Sequence, residues 1–265
     1  MNNLWKGFLS SGKIENCPII DIHCHMGLFY GSHMPYSSPE TMAERMKMAG
    51  VKLSVFSHHS ALFSPEGGNK ISIEIVKRYP DIFRAYCAIN PNHSEAISKD
   101  LKTFDRYFND VYVGFKFLAD YHKHPLSGER YRNVLEYADS NGLIVLSHTW
   151  GGSGYDGAEE VEKILKKYKK MKLLLGHSIH GDWENAIEII KRYDNVYLEL
   201  CAVLDERGIL ERFVDELGSE RILFGTDFPW FNHHYYIGAL LGSGISDDAC
   251  RNILYKNSEK LLMIT

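Results

Sequence analysis

Short apolar runs recur along the chain, and each is followed by a longer segment in which apolar residues return at helical spacing. Short runs rich in branched residues are typical of strands, whereas longer amphipathic segments are typical of helices. We predict eight strands, at 19–25, 51–57, 82–89, 111–117, 143–148, 172–177, 196–201 and 221–227. Their alternation with helical segments indicates parallel strands joined by helical crossovers.

Local start and stop signals support the helical segments. Pro39 directly after Ser38 is typical of a helix start, and Gly142 after Asn141 is typical of a helix end. The aromatic segment 228–236 is predicted to be a loop, and residues 1–16 a lead-in at the bottom of the fold. We predict helices at 38–50, 70–79, 93–109, 128–140, 159–170, 182–193, 206–217 and 246–263.

The number of strand–helix units indicates the fold class. Eight such units close into a (β/α)8 TIM barrel, which typically takes about 250 residues, and this chain has 265. A doubly wound open sheet is the competing arrangement, but the first strand lacks the Gly-x-Gly-x-x-Gly motif of dinucleotide-binding sheets. We therefore predict an α/β protein with a single barrel domain at 1–265, a short N-terminal lead-in and a C-terminal helix.

Composition narrows the choice of function. The net charge of −4 gives no reason to expect nucleic acid or an anionic membrane as a partner. The five cysteines are scattered without a Cys-x-x-Cys pair, which favours reduced thiols in the cytoplasm. The chain has no apolar run long enough for a transmembrane helix. We expect a cytoplasmic protein that acts on a small-molecule substrate, and homo-oligomerisation stays open.

The first strand ends in the pattern Asp-Ile-His-Cys-His. Positions two apart on a strand point to the same side, so Asp21, His23 and His25 are predicted to share one face, with Ile22 and Cys24 on the other. Two imidazoles side by side make half of a tetrahedral metal site. A single His-x-His also arises by chance or in a core, so the motif needs support from other strands.

Three further strand ends supply that support. His148, His177 and Asp227 each end a predicted apolar strand. In a barrel the carboxyl ends of the strands meet at one mouth, where barrel enzymes carry out their chemistry. Each residue alone is as easily a hydrogen-bonded histidine or a turn-forming aspartate. Together they predict a divalent ion with an open position for water, the arrangement of catalytic zinc.

The fourth and seventh strands add charged groups at the same mouth. We predict that Lys116 faces inward together with Tyr112 and Gly114, while Val113 and its apolar neighbours face the helices. By the same alternation, Glu199 points inward from the seventh strand.

Other polar residues are expected to have supporting or solvent-exposed roles. Asp21 is expected to orient a histidine ligand rather than to bind the ion itself. The pair His58-His59 and the residues His122 and His124 are expected to be solvated loop histidines.

The motifs as a set resemble the amidohydrolase superfamily, and within it the amidohydrolase-related branch of metal-dependent hydrolases and decarboxylases. The resemblance rests on Asp-x-His-x-His in the first strand, Gly-Phe-Lys-Phe in the fourth, His-Thr in the fifth, Gly-His-Ser in the sixth and Gly-Thr-Asp-Phe-Pro in the eighth. It implies four metal ligands, His23, His25, His148 and Asp227. It implies three catalytic residues, Asp227, His177 and Lys116.

Two roles stay open within this resemblance. His177 is either a ligand to a second ion or an acid/base group acting on the substrate. Lys116 is either a carboxylated bridge between two ions, as in binuclear relatives, or an ammonium group that binds a substrate carboxylate. One ion, zinc above other divalent metals, is favoured, and a second would need His177 and a carboxylated Lys116. The chain departs from the pattern in Ser-Ile-His-Gly after His177, where relatives commonly carry Gly-Gly, and in the pair His233-His234.

We expect hydrolysis of a C–N, ester or lactone bond in a small organic substrate. Many aromatic residues in the predicted loops favour a carboxylated substrate with an apolar or aromatic body. Decarboxylation of an unsaturated or aromatic carboxylate is the alternative reaction, with His177 or Asp227 managing the proton on carbon. A metal-binding barrel without catalysis is the non-enzymatic alternative, and the intact set of candidate ligands weighs against it.

Overall fold

Eight parallel strands lie side by side in chain order in the computed structural model, which describes residues 3–264. Each coincides with one of the predicted runs, although the eighth is much shorter than the run at 221–227. The strands are β1 Ile19–Met26, β2 Val51–His58, β3 Phe83–Ala88, β4 Tyr112–Phe117, β5 Ile144–Trp150, β6 Lys172–His180, β7 Val196–Glu199 and β8 Ile222–Leu223.

The barrel closes between β1 and the segment that follows β8. The N–H of His25 donates to the carbonyl of Phe228 at 2.6 Å, and the N–H of Asp227 donates to the carbonyl of His23 at 2.7 Å. These bonds continue the parallel ladder beyond the short eighth strand. The prediction of a (β/α)8 TIM barrel is therefore confirmed.

Helices cover the outside of this barrel. No helix among residues 3–264 is long and apolar enough to cross a membrane. Two 3-10 segments, Pro91–Ala96 and Glu129–Tyr131, precede α5 and α7, and a π-helical segment, Asn252–Lys256, lies between α12 and α13. The α-helices are α1 Asn3–Ser11, α2 Pro39–Ala49, α3 His59–Phe63, α4 Pro65–Arg78, α5 Ile97–Tyr107, α6 Ala119–His122, α7 Arg132–Ser140, α8 Ala158–Lys167, α9 Trp183–Arg192, α10 Ile209–Leu217, α11 His233–Leu241, α12 Asp247–Arg251 and α13 Asn257–Leu262.

The predicted loop at 228–236 is wrong in its second half, where α11 begins. The side chain of Asn232 accepts a hydrogen bond from the N–H of His234 and so caps this helix. The helix predicted at 246–263 is present but interrupted by the π-helical segment. These differences leave the order of strands unchanged.

Apolar side chains form two layers. The larger layer lies between the strands and the helices and includes Phe104, Phe115 and Ile190. The smaller layer fills the inside of the barrel with Ile22, Val55, Tyr86, Ile144, Leu146, Leu174 and Leu223. A barrel filled in this way is a packed core without a channel through it.

Strict alternation fails in β1 and β4. Val113 packs with the inner layer and Tyr112 with the outer one, where its hydroxyl donates to the carbonyl of Asn69 at 3.0 Å. The predicted faces of these two residues were therefore wrong, and Ile22 likewise faces inward. The cause is a shift of pairing register in each region, since an irregular position changes the face that later residues present. Lys116 lies beyond the shift and faces inward as predicted.

Gly114 tests the close packing of β4 against β5. A methyl group at this position would collide with the backbone carbonyl of Ile144. Because backbone cannot move aside cheaply, Gly114→Ala should lower the free energy of unfolding by about 1–3 kcal/mol. Gly154→Ala is the matched control, since nothing lies near the added methyl. Urea denaturation measures both, and equal midpoints for the two variants would contradict the packing described.

Candidate metal centre

A cavity of about 360 Å³ opens at the carboxyl ends of the strands. All six site residues expected from the sequence line it. The polar lining is His23, His25, His59, Lys116, His148, His177 and Asp227. The remaining lining is Phe29, Leu62, Leu118, Tyr121, Trp150, Ala202, Trp230 and Phe231. A charged interior with aromatic walls is a suitable site for a small organic ligand.

Three of these side chains converge closely enough to hold one ion. His23 and His25 from β1 and Asp227 from the segment after β8 each offer a ligand atom, and these atoms lie within 4.8 Å of one another. The Oδ1 of Asp227 is 3.0 Å from the Nε2 of His25 and 3.5 Å from the Nε2 of His23. The backbone bond from Asp227 to His23 places the carboxylate opposite the two rings.

The chemistry of these atoms fits a divalent ion. Within residues 3–264, the Oδ1 of Asp227 and the Nδ1 of His25 are buried and make no hydrogen bond. Burial lowers the pKa of His23 well below its usual 6.5, so the imidazole is neutral, as a ligand must be. Burial opposes ionisation of Asp227, but the neighbouring His25 and His23 outweigh it and lower the pKa of the carboxyl. Imidazole nitrogens and a carboxylate oxygen are typical ligands of zinc.

Glu199 fixes the ring of His23 from behind. Its Oε2 lies 2.8 Å from the Nδ1 of His23, and its carboxylate also accepts the backbone N–H groups of His177 at 3.1 Å and Cys201 at 2.6 Å. Burial raises the pKa of Glu199 to about 8, against the effect of these N–H groups. A carboxyl group at Nδ1 fixes the orientation of the ring and leaves Nε2 facing the cavity.

Lys116 reaches the Nε2 of the same ring. Its Nζ lies 2.7 Å from that atom, and the side chain is almost completely buried. Burial lowers the pKa of Lys116 to about 8, although Asp227 and Glu199 favour the charged form. The lysine therefore stands beside the metal centre with both its amine and its ammonium form accessible near neutral pH, and both roles inferred for it stay open.

His148 stands apart from the close group of three. Its Nδ1 lies 2.8 Å from the Oδ2 of Asp156, and its ring centroid is 4.9 Å from that of His177. Asp156 is fully buried in the loop after β5. The arrangement repeats that of His23 and Glu199, because a buried carboxylate holds one nitrogen while the ring faces the cavity. Nothing in the sequence distinguished Asp156 from an ordinary loop aspartate.

His177 projects from an unusual backbone turn. His177, Ser178 and Ile179 have φ angles of 68°, 53° and 56°, a left-handed conformation that is costly for residues other than glycine, most of all for a β-branched one. The hydroxyl of Thr149 bridges this turn, since it accepts the N–H of Ile179 at 2.9 Å and donates to the carbonyl of Gly176 at 2.6 Å. The turn directs the ring of His177 into the cavity.

His59 is buried, and the expectation that it is solvated was wrong. Its ring stacks on His25 with centroids 4.8 Å apart and planes 6° apart. Its Nδ1 donates to the carbonyl of Gly27 at 2.7 Å, and its Nε2 accepts the indole N–H of Trp230 at 3.2 Å. These partners leave the ring neutral, in agreement with a pKa that burial lowers to about 3. His59 therefore packs against the candidate metal ligand His25 and also holds Trp230 in the wall of the cavity.

Three other histidines lie outside the cavity. His122 is buried and both of its ring nitrogens have partners, so its assignment as a solvated residue was also wrong. His233 is buried with its Nε2 3.1 Å from the Oδ2 of Asp21, and His234 packs near Phe8. Asp21 thus lies behind the metal centre and does not share the cavity face of His23 and His25, as the alternation had predicted.

Thr149 tests the left-handed turn. Thr149→Val keeps the shape of the side chain but leaves the buried N–H of Ile179 without its acceptor. We expect the free energy of unfolding to fall by about 1–3 kcal/mol. Thr149→Ser retains the hydroxyl and is the matched control. Urea denaturation measures both variants, and a valine variant as stable as the serine variant would show that the hydroxyl does not hold the turn.

The convergence of His23, His25 and Asp227 predicts how substitutions change the metal content. His25→Ala removes one of the converging ligand atoms, so zinc bound after desalting should fall from about one ion per chain to a small fraction of that. His180→Ala, at a histidine that stacks on Trp150 and does not line the cavity, should leave zinc unchanged. Mass spectrometry of the metal content measures this. Full zinc in the His25 variant would remove this residue from the site.

Comparisons with known proteins identify the family of the chain. The amidohydrolase family model matches residues 20–264. An uncharacterized metal-dependent hydrolase of Mycoplasma genitalium is 22% identical over 227 residues, which cover 79% of this chain and 80% of that protein.

Solved structures share the fold. An uncharacterized TIM-barrel protein from Bordetella bronchiseptica has a TM-score of 0.76 and 21% identity, covering 93% of this chain and 98% of its own. A dihydroxybenzoic acid decarboxylase from Polaromonas sp. JS666, solved with manganese and the inhibitor 2-nitroresorcinol, has a TM-score of 0.75 and 16% identity, covering 93% and 97%. The family model spans the whole barrel, including every strand that contributes to the candidate metal centre. The chain therefore belongs to the amidohydrolase family, as a metal-dependent enzyme.

Proposed function

We propose that this protein is a metal-dependent hydrolase that cleaves a C–N, ester or lactone bond in a small carboxylated substrate. The observation that carries the proposal is the convergence of His23, His25 and Asp227 within 4.8 Å, in a cavity that also contains Lys116. Such a site combines an ion-binding group of ligands with a cationic side chain for a substrate anion.

His23, His25 and Asp227 would hold the ion, and His148 is available to complete the set. A divalent ion bound there supplies Lewis acidity and makes water acidic enough to react near neutral pH. We propose a single zinc ion or a similar divalent metal. The manganese in the Polaromonas decarboxylase supports a divalent ion in a barrel of this fold.

Asp227 and His177 are placed to move protons. The lowered pKa of Asp227 keeps its carboxylate ionised, so the oxygen that does not hold the ion can accept a proton from the attacking water. Burial also lowers the pKa of His177, so its imidazole is neutral and can take over the water's proton from Asp227 and pass it to the leaving group. The Nδ1 of His177 has no hydrogen-bond partner within the described residues, which leaves it available for this role.

The lining of the cavity suits a substrate with a flat or apolar body. A volume of about 360 Å³ lies in the range of small-molecule sites. Trp150 and Trp230 present ring surface at the mouth, and each is about 39% exposed. A substrate carboxylate that reached Lys116 would make a charge-assisted hydrogen bond in a largely buried setting.

Decarboxylation of an aromatic carboxylate is the second candidate. The aromatic lining around Lys116 favours it, and so does the fold shared with the Polaromonas decarboxylase. In that reaction the carboxylate leaves as carbon dioxide and the ring carbon takes up a proton, which Asp227 or His177 would deliver. This alternative needs no attacking water.

We also propose that the enzyme works in the cytoplasm on a freely diffusing small molecule. The five cysteines are all buried, where they need no oxidising compartment. A net charge of −4 gives no electrostatic attraction to nucleic acid or to an anionic membrane.

A reaction panel separates the two candidates. Zinc-loaded protein is offered carboxylated esters, lactones and amides in one set, and hydroxylated aromatic carboxylates in the other. We expect acid release from the esters and lactones in a pH-stat and free amine from the amides, and the loss of both in His25→Ala. Carbon dioxide release from the second set alone would replace hydrolysis by decarboxylation. No turnover of either set by the zinc-loaded protein would contradict both reactions.

A substitution at Lys116 tests whether this side chain binds a carboxylate of the substrate. Lys116→Met keeps the length of the side chain but removes its charge, so KM for a carboxylated substrate should rise by roughly 10- to 100-fold. The metal content should stay the same. The methyl ester of the same carboxylate serves as the control substrate, for which the variant should show little change in KM. Loss of a metal ion from the variant would instead indicate a carboxylated lysine that bridges two ions.

A further inference from the structure

Asp21 forms a buried junction behind the metal centre. Its Oδ1 accepts the backbone N–H of His23 at 3.2 Å and that of Thr226 at 3.2 Å. Its Oδ2 accepts the hydroxyl of Thr226 at 2.5 Å and lies 3.1 Å from the Nε2 of His233. The carboxylate is fully buried, and a buried carboxylate with this many donors is held in one place. It joins β1 to the segment after β8.

Thr226 extends the junction to Asp227. Its hydroxyl donates to Asp21 and at the same time accepts the N–H of Phe228 at 3.1 Å. Thr226 and Phe228 are the two neighbours of Asp227, whose φ of 56° lies in the left-handed region. A residue other than glycine keeps such a conformation only where its surroundings hold it. A single hydroxyl thus fixes the backbone on both sides of this carboxylate.

His233 supports the same segment from α11. Its ring stacks on Phe228 with centroids 4.6 Å apart and planes 14° apart, while its Nε2 faces Asp21. The segment that carries Asp227 is therefore held by β1 on one side and by α11 on the other.

We propose that Asp21 and Thr226 are positioning residues for the metal centre, which hold Asp227 at ligand distance from His23 and His25. The contacts of Asp21 reach the backbone of His23 and the backbone and hydroxyl of Thr226. Asp21 therefore sets the spacing between ligands that come from opposite sides of the barrel closure. The inference rests on the metal-dependent function proposed above.

Zinc affinity of the metal-stripped protein tests this role. Thr226→Val keeps the shape of the side chain but removes the hydroxyl, so zinc binding in a chelator competition should weaken by roughly 10- to 100-fold. Thr226→Ser retains the hydroxyl and should keep most of the affinity. The unfolding midpoint of each metal-free protein is measured beside it.

Tyr86→Phe is the matched control. It also removes a buried hydroxyl that bonds to β1, in this case to the carbonyl of Ile22 at 2.9 Å, but it does not touch the Asp227 segment. We expect this variant to lose stability without losing zinc affinity. A merely structural Thr226 would behave in the same way, and that result would overturn the proposal.

Asp21→Asn keeps the inference testable if Thr226→Val does not fold. It retains the size of the side chain and should also weaken zinc binding, and an unchanged affinity would overturn the proposal. Asp227→Asn separates the two levels of inference. If Asp227→Asn loses zinc while Thr226→Val and Asp21→Asn retain it, only the positioning role is refuted. No zinc binding by the wild-type protein would refute the metal centre and this inference with it.

Discussion

The site depends on the pairing of β1 with the segment after β8. The eighth strand contributes only Ile222–Leu223 to the regular sheet, so the barrel is closed by backbone bonds further along. One of them joins the N–H of Ile22 to the carbonyl of Phe224 at 3.0 Å, and the two that follow involve the ligand-bearing residues themselves. Because each side of this seam carries candidate ligands, closing the barrel also assembles the candidate metal centre.

The buried carboxyl groups near this seam share one arrangement. Asp21, Asp156 and Glu199 are fully buried carboxyl groups, and each accepts at least one backbone N–H. Burying such groups without partners would cost several kcal/mol each, so their contacts define a rigid polar shell. The Nδ1 of His177, which has no hydrogen-bond partner among the described residues, belongs to a side chain that lines the cavity. The buried carboxyl groups thus hold the surrounding side chains in place, while an unpaired atom in the cavity remains available to a ligand.

Much of the site could be predicted because barrel geometry translates sequence position into spatial position. A polar residue at the end of an apolar strand must come to the mouth, which is why His23, His177 and Asp227 could be assigned from the sequence. The alternation of strands and helices gave the fold for the same reason. Both inferences use only the local pattern and the rule that parallel strands end together.

The remainder depends on contacts between distant parts of the chain. Register shifts in β1 and β4 arise from pairing with neighbouring strands, so strict alternation misplaced Asp21 and Val113. Asp156 acquires its role only because its loop folds back onto His148. The left-handed turn at Ile179 is stabilised by Thr149 from the adjacent strand. The local sequence pattern does not indicate these long-range contacts.

Anomalous diffraction from crystals grown with zinc tests the central claim most directly. The account predicts one strong peak bounded by the Nε2 atoms of His23 and His25 and the carboxylate of Asp227, at about 2.0–2.2 Å from each. Two further groups also have their ligand atoms within 4.8 Å of one another: one, His23, His177 and Cys201, shares His23, and the other, Asp21, Cys24 and His233, lies behind the cavity. A peak at either of these groups with none at the first, or no ordered zinc at all, would contradict the account.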